Sequence, residues 1–311
     1  MREEVVKEAS QLLATHRLCP AELPSHYLPD PGDREGMADY LLFMTAIDHR
    51  TGKAFSSTVE GAFFKGAELL WKLGELKWRR DRGFFKPARM MKVGDREVTE
   101  WLTAPSGVTV KGPGLRAILL RDAARWLMKL YEGSSLKLIE EASGSCRKLL
   151  ELLRPFKAFN DPVAKKPYLL IKLLERAGLF KVLDRGWLRV PVDNHVARIA
   201  LRLGLVEPTT QRRATLSYDV KLRMEVREAW QAVASRAGVD PLVLDDLLWP
   251  LGRELCRREL AKCVKGEVEA DLLRRLAPWS WERCPFEDVC RGMREDWRRK
   301  LREPLTATWW Y

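Results

Sequence analysis

Amides are scarce in this chain of 311 residues: asparagine occurs only at Asn160 and Asn194, and glutamine only at Gln11, Gln211 and Gln231. Thermolabile amides are therefore nearly absent while charged residues make up 32%, the balance expected of a hyperthermophile's protein. Long apolar runs are missing as well. No stretch approaches the roughly 20 residues that a membrane span requires, so no membrane partner is expected. The opening residues, MREEVVKEASQLLATH, read as an amphipathic helix with acidic residues in its first turn, not as a signal peptide, which implies a cytoplasmic protein. No internal repeat and no low-complexity segment interrupts the chain.

With 46% apolar residues the chain is globular, and its length allows one large domain or two ordinary ones. Fifty-five Lys and Arg against 43 Asp and Glu leave a net charge of +12. That excess favours a polyanionic partner, bound through phosphate neutralisation and counterion release. The densest basic run is KWRRDRGFFKPARMMK (77–92), where Lys77, Arg79, Arg80, Arg82, Lys86 and Arg89 face Asp81 alone and alternate with Trp78, Phe84 and Phe85. Cations that neutralise phosphates beside aromatics that stack on unpaired bases make a nucleic-acid surface. The competing reading is a solvated loop with its aromatics in the core. The terminal ATWWY (307–311) reads as a packed tail.

Most of the pattern is helical. Apolar periodicity predicts helices at 36–48, 59–77, 115–133, 135–153, 165–178, after Asp193, at 219–238 and at 243–256. Gly133, Gly178 and Gly238 stand where helices should stop. The Pro-rich stretch 19–33 must be irregular. The β-like material is 91–102 and 107–112. The expected organisation is an N-terminal region of helices plus a short β-like segment over 1–112, a helical core over 113–250, and a cysteine-bearing C-terminal segment over 251–311.

Two features carry chemistry. The run VPVDNHVARIALRLGLVEP (190–208) delivers Asp193 from an extended entry to the start of a helix with apolar positions at Val196, Ile199, Ala200 and Leu203. An Asp in that place is a preferred N-cap. Downstream stand Cys256, Cys263, Cys284 and Cys290, a C-x6-C pair and a C-x5-C pair separated by twenty residues. Two disulfides are one reading, since intracellular disulfides occur in hyperthermophiles. Zinc is another, although structural zinc sites generally contain a tighter pair. Four thiolates in one segment also suit an iron–sulfur cubane. Cys19 and Cys146 lie far away and read as ordinary buried thiols.

Together the D-x-H run and the cysteine series resemble the helix-hairpin-helix (HhH-GPD) DNA glycosylases of the endonuclease III and MutY type. In that family a V-D-x-H segment carries the catalytic Asp, and a C-x6-C-x2-C-x5-C loop holds a [4Fe–4S] cluster. The resemblance covers about 185–205 and 244–292, extends more loosely over 113–184, and is absent from the first hundred residues. The middle cysteine spacing calls for a helical insertion such as EVEADLLRRLA (267–277). In place of the family's glycine hairpin stands RPFKAFNDPVAKKPYLLIKLL (154–174), with no G-x-G.

The resemblance implies a mainly α, two-lobed glycosylase fold with an iron–sulfur cluster loop and an extra N-terminal region. Cys256, Cys263, Cys284 and Cys290 would hold the [4Fe–4S] cluster. Asp193 would stabilise the oxocarbenium-like sugar and activate the nucleophile at the mouth of a base pocket. His195 would brace the turn rather than transfer protons. Asn194 stands where the family commonly has Thr. Lys165 and Lys166, 28 and 27 residues before Asp193, are the candidate Schiff-base nucleophiles; otherwise they are surface charges at a helix start.

The implied activity is excision of a damaged or mismatched base from double-stranded DNA, with the base extruded, by a monomer. Two alternatives remain: an N-glycosidase acting on a modified nucleotide or tRNA nucleoside, and a non-enzymatic iron–sulfur nucleic-acid binder. A pure binder gains nothing from a carboxylate facing phosphate.

Overall fold

Helices form where apolar residues recur every three or four positions, and the computed structural model describes them over residues 1–30, 32–208, 215–265 and 283–311. The chain is mainly helical and divides into two units, one made of 1–22 and 188–308, the other of 23–187 and 309–311. These units cut across the three sequence segments, because the first helix groups with the C-terminal part of the chain. Among the described residues no helix is long and apolar enough to cross a membrane. The proposed insertion 267–277 lies outside the described residues.

In the unit 23–187, helix α2 (Arg34–Ile47) is buried at every position from Met37 to Ile47. It starts on Asp33, whose Oδ1 accepts from Gly36 N at 2.9 Å. Helices α6 (Pro113–Leu130), α7 (Ser135–Glu141) and α9 (Lys165–Arg176) pack against it. Beside it Tyr40, Trp78, Phe84, Phe85 and Trp101 form an aromatic core of edge-to-face contacts.

Three sequence expectations are corrected in this unit. The segment 59–77 does not form one helix. It contains the second half of an antiparallel hairpin, β1 (Ser56–Val59) with β2 (Ala62–Lys65), and then α3 (Ala67–Arg80). The hairpin turns on Glu60 and Gly61, both at positive φ (49° and 81°), as a two-residue turn between twisted strands requires. The segment 91–102 is not extended: Asp95–Trp101 is a helix (α5), with Val98, Trp101 and Leu102 buried on one face and acids in its first turn. Its alternation of polar and apolar residues is too short to separate the two periods. The predicted helix 135–153 is split into α7 and α8 (Cys146–Leu152), because Ser143 and Gly144 turn through positive φ. Cys146 is buried as expected; outside this unit, Cys19, also expected buried, is exposed.

In the other unit α1 (Glu3–Ala14) lies along α11 (Leu216–Ala237). Helix α10 (Asn194–Leu203) is buried from Val196 to Leu203 and packs on α11 and α12 (Pro241–Pro250). Pro250, which lacks a donor, ends α12 in a π-helical turn, Leu251–Leu255, that leads directly to Cys256.

Candidate active site and thiol neighbourhood

The extended entry Val190–Val192 is buried and hands the chain to Asp193, which caps α10. One carboxylate oxygen, Oδ1, accepts from both His195 N (2.8 Å) and Val196 N (2.9 Å). The cap expected from composition is therefore real, and it uses only one of the two oxygens for these bonds. The side chain is half-buried. Capping and electrostatic catalysis are compatible here, because the cap fixes the carboxylate's direction.

The residues after Asp193 are locked from within. Arg198, 2% exposed, donates from Nη2 to His195 Nδ1 (2.9 Å) and to Gly252 O (2.7 Å), and from Nε to Cys256 O (2.7 Å). Its Nη1 pairs with buried Glu303 at 2.9 Å. Burial holds the His195 imidazole below its ordinary pKa, against the pull of the Asp193 carboxylate. With a donor-only guanidinium on Nδ1, the neutral ring carries its proton on Nε2. The His195 ring is thus held on Nδ1 by Arg198. On the other side, Asn194 Oδ1 accepts from Arg223 Nη2 (2.7 Å), and Arg223 Nε pairs with Asp219 Oδ1 (2.7 Å), both ends fully buried. These arginines escape sequence reading because an Arg within an amphipathic helix ordinarily marks the solvent face.

Lys165 and Lys166 are not surface charges: they are 7% and 0% exposed, in the first turn of α9. Asp161 builds that start, its Oδ1 accepting from Val163 N and its Oδ2 from Lys165 N. Ala164 takes the left-handed conformation (φ 58°) in the region where the family's hairpin has glycine. Lys165 Nζ donates to Asp48 O (3.2 Å) and lies 3.9 Å from the Asp48 carboxylate. Lys166 Nζ donates to Ala46 O and lies 3.4 Å from His49 Nδ1, while Arg116 reaches His49 O (2.6 Å). These carbonyls belong to the end of α2, so the cations sit at the negative pole of its dipole. Burial, reinforced by neighbouring Lys165, drives the Lys166 pKa well down. Burial likewise brings Arg116 to about 10.

The four clustered cysteines are free thiols, none disulfide-bonded. They gather in one neighbourhood. Burial pushes Cys263 up to about 12 and Cys290 up to about 11, and each feels the charge of Cys256; Cys284 is pushed up by burial and by all three others. Arg202, on α10, donates to Cys256 Sγ (3.5 Å) and to the carbonyls of Arg257 and Arg258, and its own carbonyl accepts from Cys290 Sγ. Among the described residues, however, no three His, Cys, Asp or Glu side chains stand at the spacing of a metal-ligand set.

In the basic run the aromatics are interior: Trp78 and Phe84 are 0% exposed and Phe85 is 1%. They are core, and unavailable for stacking on bases. Arg79 pairs with Glu60 and Glu75, Arg82 with Asp30, and Arg89 with Glu97. Lys77 Nζ lies over the Phe84 ring at 4.2 Å. Arg80 and Lys86 are exposed.

The capped carboxylate and its D-x-H turn lie in a stretch that is similar to an N-glycosylase family. Residues 178–278 match the AGOG family, described as N-glycosylase/DNA lyase, a span that includes Asp193, Cys256 and Cys263. Residues 43–181 match a second family, described as queuosine salvage protein. An N-glycosylase/DNA lyase of Pyrobaculum aerophilum is 37% identical over 81 residues, which is 26% of this chain and 29% of that protein. The chain thus matches less than a third of that relative's length. Among solved structures, the 8-oxoguanine DNA glycosylase Pa-AGOG of the same organism, complexed with 8-oxoguanosine, aligns over 88% of this chain and 96% of its own at 18% identity and a TM-score of 0.47. A trapped endonuclease III–DNA covalent intermediate aligns over 94% and 98% at 14% identity and a TM-score of 0.48.

Proposed function

We propose that the protein is a DNA N-glycosylase of base-excision repair, with Asp193 as the carboxylate beside the reacting sugar. One observation carries this reading: the stretch matching the N-glycosylase/DNA lyase family contains a half-buried Asp whose direction is set by two backbone donors. As the bond between C1′ and the base nitrogen breaks, its electron pair leaves with the base, which takes up a proton. The carboxylate stabilises the positive charge left on the sugar. The nucleophile that then bonds to C1′ is water or a lysine amine.

Of the two lysines, Lys166 is fully enclosed whereas the Lys165 side chain keeps 9% exposure, which makes Lys165 the candidate amine. The partner is double-stranded DNA with the target base extruded. Lys77, Arg80 and Lys86 contribute phosphate contacts, and Arg79, Arg82 and Arg89 contribute less because carboxylates already neutralise them. Cys256, Cys263, Cys284 and Cys290 are the residues that would hold a [4Fe–4S] cluster; their shared neighbourhood favours that donor set, although the described side chains do not stand at ligand spacing. Such a cluster would supply a rigid structural element.

A second reading has its own support. The match of 43–181 to a queuosine salvage family favours an N-glycosidase acting on a modified nucleoside. One experiment separates the two. Anaerobically purified protein is incubated with duplexes each carrying one lesion or mismatch, 8-oxoguanine included, and with modified nucleosides free and in tRNA. Alkali treatment with and without borohydride follows. Strand scission at one lesion supports the DNA glycosylase, base release from nucleosides alone supports the second reading, and release from neither refutes both. Iron and sulfide analysis of the same sample tests the cluster: zinc, or no metal with oxidised thiols, removes it.

A further inference from the structure

We infer that Arg198 and Arg223 are positioning residues for Asp193, clamped from behind by the segment 301–306; this rests on Asp193 being the catalytic carboxylate. The direction of Asp193 is set by the N–H groups of His195 and Val196. The two N–H groups belong to the peptides that follow Asn194 and His195, so bonds that hold those two side chains also restrain the backbone that carries the donors. Both side chains are held by a buried guanidinium, Asn194 by Arg223 (2.7 Å) and His195 by Arg198 (2.9 Å).

Each guanidinium is oriented in turn by a carboxylate tied to one tail segment. Glu303 pairs with Arg198 at 2.9 Å and with Arg258 at 2.7 Å. Asp219 pairs with Arg223 and accepts from Thr306 Oγ1. Leu301 O accepts from Arg202 Nε at 3.0 Å. Sideways slack is absent too, since a Cβ on Gly252 would stand 2.6 Å from His195 Cβ.

Stability alone does not account for two such pairs. Buried ion pairs can commonly be replaced by apolar residues at little cost, whereas their fixed directional bonds define the geometry of whatever they hold. Here they hold both neighbours of Asp193.

The test uses the full chain carrying Arg198→Met with Glu303→Leu, which deletes both charges together, and separately Thr306→Val. Base release from the lesion duplex cleaved by the parent is followed at saturating enzyme, with duplex affinity, thermal melting and the 15N signals of the His195 ring. The double variant should bind duplex like the parent and melt below it, because Gly252 O, Cys256 O and Arg258 lose partners, while the rate of base release falls about 10- to 100-fold, as a displacement on the order of 1 Å can cause. His195 should lose its acceptor-type Nδ1 signal. Thr306→Val should shift the rate in the same direction by a smaller factor.

A folded double variant with the parent's rate overturns the clamp. Should that variant not fold, the parent decides, because a protonated Nδ1 on His195 means that Arg198 does not hold it. A parent inactive on every duplex, with Asp193→Asn equally without effect, sinks the glycosylase reading instead, and the clamp is then judged on the His195 signal alone.

Discussion

Replacing Asp193 by Asn separates a helix cap from a catalytic charge, because the structure fixes what each role would lose. The cap consists of two bonds to one oxygen, from His195 N and Val196 N. An asparagine carbonyl oxygen can accept both, and Asn caps about as well as Asp, so folded stability should change by only a few tenths of a kcal/mol. Asp193→Ala removes the acceptor entirely and should cost about 1 kcal/mol, a melting shift of roughly 2–4 °C for a protein of this size. Catalysis responds differently. Loss of a negative charge beside an oxocarbenium-like sugar should slow base release by about two to four orders of magnitude, or roughly 3–5.5 kcal/mol in the barrier, with duplex affinity equal or improved through lost repulsion. The assay is single-turnover excision on an end-labelled lesion duplex, scored after alkali on a denaturing gel, beside a melting curve for each variant. An Asp193→Asn protein that melts and turns over like the parent would refute the mechanism and leave Asp193 as a cap alone.

Lys165→Ala should abolish borohydride trapping on the substrate duplex while the fold survives; trapping retained in both lysine variants would place the Schiff-base amine elsewhere, whereas full base release in both variants without trapping would leave a monofunctional hydrolase. Lys166→Ala should act through stability, by about 2–4 kcal/mol on chemical denaturation, since it empties a fully buried volume and strips Ala46 O of its donor. Replacing Arg79, Arg80 and Arg82 together by Ala should lower the log–log salt slope of duplex binding by about one rather than three, because Arg79 and Arg82 are already paired with carboxylates. A drop near three would mean that those pairs open on DNA.

Asp39 gives a pH test: burial raises its carboxyl from 3.8 to about 7. The folded chain then holds a proton that the unfolded chain releases above 3.8. Its contribution is fully present below that value and lost as pH rises through about 7, on the order of 1.4 kcal/mol per pKa unit. Asp39→Asn should accordingly raise the melting temperature more at pH 8 than at pH 4, and equal effects at both would exclude it.

Local information sufficed for much of this protein. The helical class, the left-handed stops at Gly133, Gly178 and Gly238, and the place of Asp193 before its helix follow from period, capping preference and backbone freedom, which act within a few residues. The same locality misled where patterns were short: a four-residue strand pairing across Glu60–Gly61 looked like helix, and α5 looked extended. What only the tertiary structure decided is the fate of the charges. Nothing in the sequence marks Lys165, Lys166, Arg198 and Arg223 as interior, yet each is buried against carbonyl or carboxylate oxygens. Arg79, Arg82 and Arg89 of the basic run are neutralised by acids such as Glu60 and Asp30 that lie outside it, and its aromatics belong to the core. Sequence displays a charge but not its partner, and in a low-dielectric interior the partner determines whether that charge binds, braces or reacts.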